Sequence, residues 1–372
     1  LLLAADTSLT GGGKMKTCWL GAIVVLFVSG TASAELSIEK VVGPETPGGT
    51  YKHPASIEEL PNGDLYIAYH GGEAEYDRDT AVFGSRLRMG STKWTQPKPI
   101  ADTPNRGEGN GVIWQEPNGL TWLFYVSRYG ETWSDSIIKY KYSKDGAETW
   151  SDPEIISFVK GLMVRSQPIQ FDNGDFLLPI YHERGTDKEH VGEASTSLFA
   201  RFSKKTKRWT FTEEVHSRLG NIQPSVVALD ANHFLAFCRR GGSYGHVPDG
   251  FIVRTESHDA GLTWSPGADT QFPNPNSAID LIKLRNGHLV LIYNDSFFGE
   301  RMPLTMRVST DNGKTWPHVR NIVNKPGDDA AYPYVIETAD GRIHGVYTSQ
   351  ERTVINHFVL EEADITDQGK GK

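Results

Sequence analysis

Residues 309–316 read STDNGKTW, and two close relatives stand at 143–150 (SKDGAETW) and 257–264 (SHDAGLTW). Degenerate forms are MGSTKW, ending at Trp94, and FSKKTKRW, ending at Trp209. In such a stretch the Asp carboxylate can accept backbone N–H groups of a tight turn, Gly takes a left-handed backbone, and Trp supplies a large apolar anchor. An element that recurs along the chain is a poor place for chemistry done once. It is therefore read as a structural part, with its Trp packed into the sheet that carries it, and the chemistry is expected at one central pocket.

Between these elements lies a second repeat: an apolar strand, an Asn-Gly or Asp-Gly turn, and another apolar strand. Its copies are HPASIEELPNGDLYIAYHG from 53, GVIWQEPNGLTWLFYVSR from 111, SQPIQFDNGDFLLPIYHE from 166, QPSVVALDANHFLAFCRR from 223, SAIDLIKLRNGHLVLIYND from 277 and YPYVIETADGRIHGVYTS from 332. Each is a hairpin signal, because Gly63, Gly119, Gly174, Gly287 and Gly341 supply the positive φ of a tight turn, with Asp230-Ala231-Asn232 in the fourth copy. A third strand follows each hairpin, and the Trp element follows it in the first five units, at a period of about fifty-five residues. The reading is an all-β, six-bladed β-propeller, in which radial repetition leaves only short sheet edges. The last unit has no Trp element after TVINHFVLEE, so the N-terminal strand ELSIEKVV is expected to close that blade. A two-sheet sandwich would not explain the sixfold period.

Bulk properties agree with one large folded domain. The chain has 372 residues, 38% of them hydrophobic, and a formal net charge of −8. That charge argues against nucleic acid or an anionic membrane as the main partner. Met15-Lys16, the apolar run CWLGAIVVLFV and Ala32-Ser33-Ala34 have the layout of a secretory signal peptide cleaved after Ala34. Residues 1–34 are thus read as an upstream segment plus signal, and 35–372 as a single propeller domain, secreted or periplasmic and not inserted in a membrane. Cys238 is then the one cysteine kept, so packing and not a disulfide must stabilise the domain.

The Ser-x-Asp-x-Gly-x-Thr-Trp element resembles the Asp-box of sialidases, and residues 35–362 resemble the sialidase-like BNR-repeat proteins, the predicted-neuraminidase branch above all. That resemblance implies an acidic-glycan substrate, three arginines on its carboxylate, a Tyr nucleophile activated by a Glu, and an Asp as general acid/base. Guanidinium forks match a carboxylate bidentately, and the acid needs a pKa near the working pH. By blade position, Tyr332 stands where the nucleophile would be, Arg301 and Arg239 (or Arg240) where two of the arginines would be, and Asp79, with Glu75 and Asp77 in the same loop, where the acid/base would be. Two departures stand out. The first arginine's place reads Lys52-His53-Pro54, with Arg165 and Arg352 as substitutes, and the activating Glu is replaced by Gln223. Asn110, Gln167, Asn276 and Asp280 fit a polar pocket for sugar hydroxyls.

Three functions follow as expectations. The first is an exported exo-sialidase-type hydrolase of terminal acidic sugars. The second is a polysaccharide lyase on uronate-containing glycans, in which His53, Tyr332, Gln223 and Arg301 would serve β-elimination. The third is an acidic-glycan-binding propeller without catalysis. No metal or other cofactor is expected, since none of the 12 His forms an HExxH or His-x-His pair and no Gly-rich phosphate loop is present.

Overall fold

The computed structural model describes residues 36–117, 119–186, 190–325 and 327–367. The expected signal peptide lies outside them. Among the described residues no helix is long and apolar enough to cross a membrane.

The described residues form six antiparallel blades around one axis. The first blade is Tyr51–Glu59, Leu65–Gly72, Ala81–Leu87 and Lys98–Ala101, ordered from the axis outward. The second repeats this with Gly107–Gln115, Thr121–Arg128, Ser136–Ser143 and Glu154–Ile155. In the third the inner strand is broken into Leu162–Val164 and Ile169–Gln170, both paired with Phe176–His182, before Thr196–Ser203 and Arg208–Phe211. The fourth is Asn221–Ala228, Phe234–Arg240, Phe251–Ser257 and Ala268–Pro273. The fifth is Asp280–Lys283, Leu289–Asn294, Leu304–Ser309 and His318–Val323. The sixth is Ala331–Glu337, Ile343–Ser349 and Val354–Leu360. Its outer strand is the N-terminal Ser37–Val42, paired antiparallel from Ser37 opposite Val359 to Val42 opposite Ile355. The ring closes as the sequence pattern requires.

Burial explains the strand composition. Second strands such as Thr121–Arg128 and Leu289–Asn294 are buried along their whole length. A strand covered on both faces by neighbouring blades reads as a near-continuous apolar run. Outer strands such as Ser37–Val42 and Arg208–Phe211 are mostly exposed and mix charged or polar residues with apolar ones.

The Asp-boxes have one geometry. In the STDNGKTW copy Asp311 Oδ1 accepts from the N–H groups of Thr315 (2.8 Å) and Lys314 (3.1 Å), and Ser309 Oγ accepts from Gly313 N (2.9 Å). Two successive residues take positive φ, Asn312 and Gly313 here, Ala260 and Gly261 in the earlier copy. A Cβ on Gly261 would lie 2.8 Å from Leu177 of the preceding blade, so glycine is needed there for closeness as well as for φ.

This closeness corrects one expectation. The box tryptophans do not simply pack into their own blades; they reach back to the blade before. Trp264 stacks on Phe199 of the third blade (3.7 Å between centroids), and Trp316 lies 5.9 Å from Phe237 of the fourth. Trp209 packs in its own sheet and also 6.0 Å from Tyr140 of the second. Trp94 of the first blade meets His357 of the sixth and donates to Glu39 Oε1 of the closing strand (3.2 Å). The element is a strap between neighbours.

At the opposite end of the inner strands, the ladder slips at one shared register in four blades: between Lys52 and Ala55, Gly109 and Val112, Ile222 and Ser225, and Ala331 and Tyr334. The extra residues are His53-Pro54, Asn110-Gly111, Gln223-Pro224 and Tyr332-Pro333. A bulge re-aims a side chain.

Candidate active site

The four bulges turn His53, Asn110, Gln223 and Tyr332 into one cavity of about 420 Å³. Three of them have left-handed backbone, at φ 48° for Asn110 and 53° for Gln223 and Tyr332. Such strain in residues other than glycine is sustained by the surrounding structure and clusters at functional sites. The ends of the second strands contribute His70, Glu183 and Arg239 to the wall, and the connecting loops contribute Glu75, Tyr244, Arg301 and Arg352.

Tyr332 is the centre of a cationic cluster. Its hydroxyl accepts a hydrogen bond from Arg239 Nη1 (2.8 Å), and the same nitrogen donates to Gln223 Oε1 (3.2 Å). The guanidinium carbons of Arg239 and Arg301 lie 5.7 and 5.3 Å from the centroid of the Tyr332 ring. Arg352 pairs with Glu75, whose other oxygen accepts from Trp133 Nε1 (3.1 Å). Burial alone would push the Tyr332 phenol up, but Arg239, Arg301 and Arg352 together hold it down to about 8. The neighbouring phenols of Tyr181 and Tyr244 are instead raised, chiefly by burial.

Two histidines on the wall are neutral. His53 presents its ring edge-on to Tyr332, with centroids 4.0 Å apart, and its Nδ1 pairs with Thr348 Oγ1 (3.1 Å). Burial, then the charge of Arg352, keeps its pKa well below the usual imidazole range. His70 is held at about 3 by burial and the nearby arginines, and its Nδ1 accepts from Asn110 N (3.3 Å). Glu183 is pushed the other way, up to about 7, by burial, with Glu75 adding and Arg239 opposing. A carboxyl of that kind can hold a proton near neutrality and release it.

Several residues singled out in the sequence lie elsewhere. Lys52 is buried but points away, its Nζ donating to Gly49 O, because neighbouring strand residues face opposite sides and His53 takes the inward one. Its own N–H donates to Arg352 O (2.8 Å), so Arg352 brings a guanidinium into the cavity from beside the place left by the missing first arginine. Asp79 is exposed outside the cavity, and Asp77 uses its carbonyl to accept from Arg128. Asn276 accepts from Arg239 Nε (2.7 Å), so it orients the guanidinium and does not line the cavity. Asp280 joins blades, accepting from Ser225 Oγ and Val335 N, 2.8 Å each. Arg165 lies beneath the cavity, donating to the carbonyls of Tyr332 and Pro333. Arg240 is spent on the carbonyls of Asn274 and Gly241. Gln167 is half-buried and outside the lining. The sequence pattern does not single out His70, Glu183, Tyr181 or Tyr244, all of which line the cavity. The signal for His70 and Tyr181 was their place near the ends of second strands, in YHGG and YHER, equivalent to that of Arg239 in CRR, whereas Glu183 follows its strand.

A closed ring of six blades, three of them carrying full Asp-boxes, with one arginine-lined mouth defines a sialidase-like propeller. Residues 63–345 match the BNR repeat-like domain, and the chain belongs to that family. No curated protein matches the sequence. Solved structures share the fold. The Hadza microbial sialidase Hz136 superposes with a TM-score of 0.71 at 15% identity, over 86% of this chain and 67% of that one. The NanB sialidase from Streptococcus pneumoniae gives 0.73 at 10%, over 88% and 71%. The intramolecular trans-sialidase from Ruminococcus gnavus gives 0.69 at 12%, over 88% and 98%.

Proposed function

We propose that this chain is an exported glycoside hydrolase of the exo-sialidase type, releasing terminal acidic sugars from glycans with retention of configuration. The observation that carries the reading is the Tyr332 hydroxyl, hydrogen-bonded to Arg239 and facing Arg301 and Arg352 in one cavity. The guanidinium groups take the sugar carboxylate. The Tyr332 phenolate attacks the anomeric carbon as the glycosidic C–O bond breaks, and Glu183 gives its proton to the departing oxygen. Glu183, now a carboxylate, takes a proton from the water that later displaces Tyr332. The arginines lower the phenol in place of the base that Gln223 cannot be. Glu75 holds Arg352 in position.

A second reading is favoured by one observation, the neutral His53 edge-on to Tyr332. A base beside a phenol suits proton abstraction alpha to a neutralised carboxylate, hence β-elimination on uronates. A panel of fluorogenic terminal acidic sugars and uronate-containing polymers separates the two. Hydrolysis predicts sugar release that Tyr332→Phe abolishes and His53→Ala only reduces. Failure of the wild type across the sugar panel rejects the hydrolase, and unsaturated uronate absorbance, lost in both variants, selects elimination.

A further inference from the structure

Tyr332 combines two disfavoured features. Its φ of 53° is left-handed, and it precedes a proline, which restricts the residue before it to extended backbone. Such a conformation persists only where its surroundings over-determine it. The surroundings come from the far side of the ring. Arg165, in the third blade, reaches across the axis to the sixth, where its Nη2 donates to Tyr332 O (3.0 Å) and Pro333 O (3.1 Å). Its guanidinium carbon lies 5.8 Å from the Tyr332 centroid and 5.3 Å from that of Tyr334. It is 2% exposed, with its Nε unpaired, and Asp280 is the negative group that offsets its charge. Burying a guanidinium is expensive, and two donations to successive carbonyls of one bulge define its role.

We propose that Arg165 is a positioning residue: by pinning the Tyr332-Pro333 carbonyls from across the axis, it fixes the bulge that aims the Tyr332 phenol at Arg239 and the reacting carbon. This rests on the reading of Tyr332 as the attacking group. Arg165 does not line the cavity and acts through the backbone of another blade.

The test uses the full chain with Arg165→Met and Arg165→Lys, each checked for folding by thermal melting. Tyr332 ionisation is followed by ultraviolet difference titration with Tyr332→Phe as blank, and kcat and KM are measured on any sugar the wild type turns over. The expected result for Arg165→Met is a folded protein with kcat down roughly 100-fold, KM within a fewfold, and Tyr332 ionising at higher pH. Arg165→Lys recovers part of both. A folded Arg165→Met variant with wild-type kcat and ionisation overturns the proposal. So does unfolding of both variants, since the residue would then hold the ring and not the bulge. Should the wild type turn over no sugar, the hydrolase reading fails by itself. The titration still decides the positioning role, supporting it if the transition moves and overturning it if not.

Discussion

Tyr332 shows how a single side chain acquires reactivity from groups it does not adjoin in sequence. Arg239 comes from the fourth blade, Arg301 from the loop after the fifth blade's second strand, and Arg352 from the sixth. Each lowers a phenol that burial would raise, leaving it at about 8. Ionisation therefore rises as pH climbs towards that value, and so should kcat in its rising limb. Replacing Arg239 by Gln removes the cation that donates to the Tyr332 hydroxyl and is expected to move that limb upward by about one unit or more, read from the pH dependence of kcat. Tyr332, Arg239, Arg301 and Arg352 could be singled out because the resemblance to sialidases, laid on the blade register, points to those positions. Lys52 was misplaced for a physical reason. A bulge shifts the register by one residue and exchanges the two faces, so strand alternation alone does not tell that His53, not Lys52, turns inward. Arg165 was illegible as a partner of Tyr332, since nothing local records a contact across the axis.

The Asp-box is the element on which the ring depends. Removing Trp316, which is buried against the fourth blade, should cost about 3–5 kcal/mol as for other large-to-small core changes, measured as Trp316→Ala by denaturant unfolding. The carboxylates give a pH signature. Hydrogen bonds from the turn N–H groups and Thr side chains hold Asp259 and Asp311 at about 2, below the usual value near 3.9. Their contribution is complete above the unfolded value and is lost as pH falls through the folded one, so melting temperature should drop between about pH 4 and pH 2. In the Asp259→Asn, Asp311→Asn double variant this part of the drop should flatten. The motif itself was plain in the sequence. Its reach to the preceding blade was not, because turn chemistry is local and the stacking of Trp264 on Phe199 is not.

At the scale of the whole molecule, one short strand closes the circle. Ser37–Val42 covers the edge of Val354–Leu360, and Glu39 accepts from Trp94 and pairs with His357. A chain lacking residues 36–42 should melt earlier and associate through the uncovered edge, checked by calorimetry and light scattering. Closure also brings Arg352 beside the first blade and so completes the cationic mouth. The central claim is that this mouth serves one reacting phenol, and covalent trapping tests it most directly. The wild type is quenched during turnover of an activated acidic-sugar glycoside, then digested and analysed by mass spectrometry. The account predicts a single glycosyl adduct on Tyr332, absent from Tyr332→Phe. Product release at an unchanged rate by Tyr332→Phe, or an adduct on another residue, would contradict it.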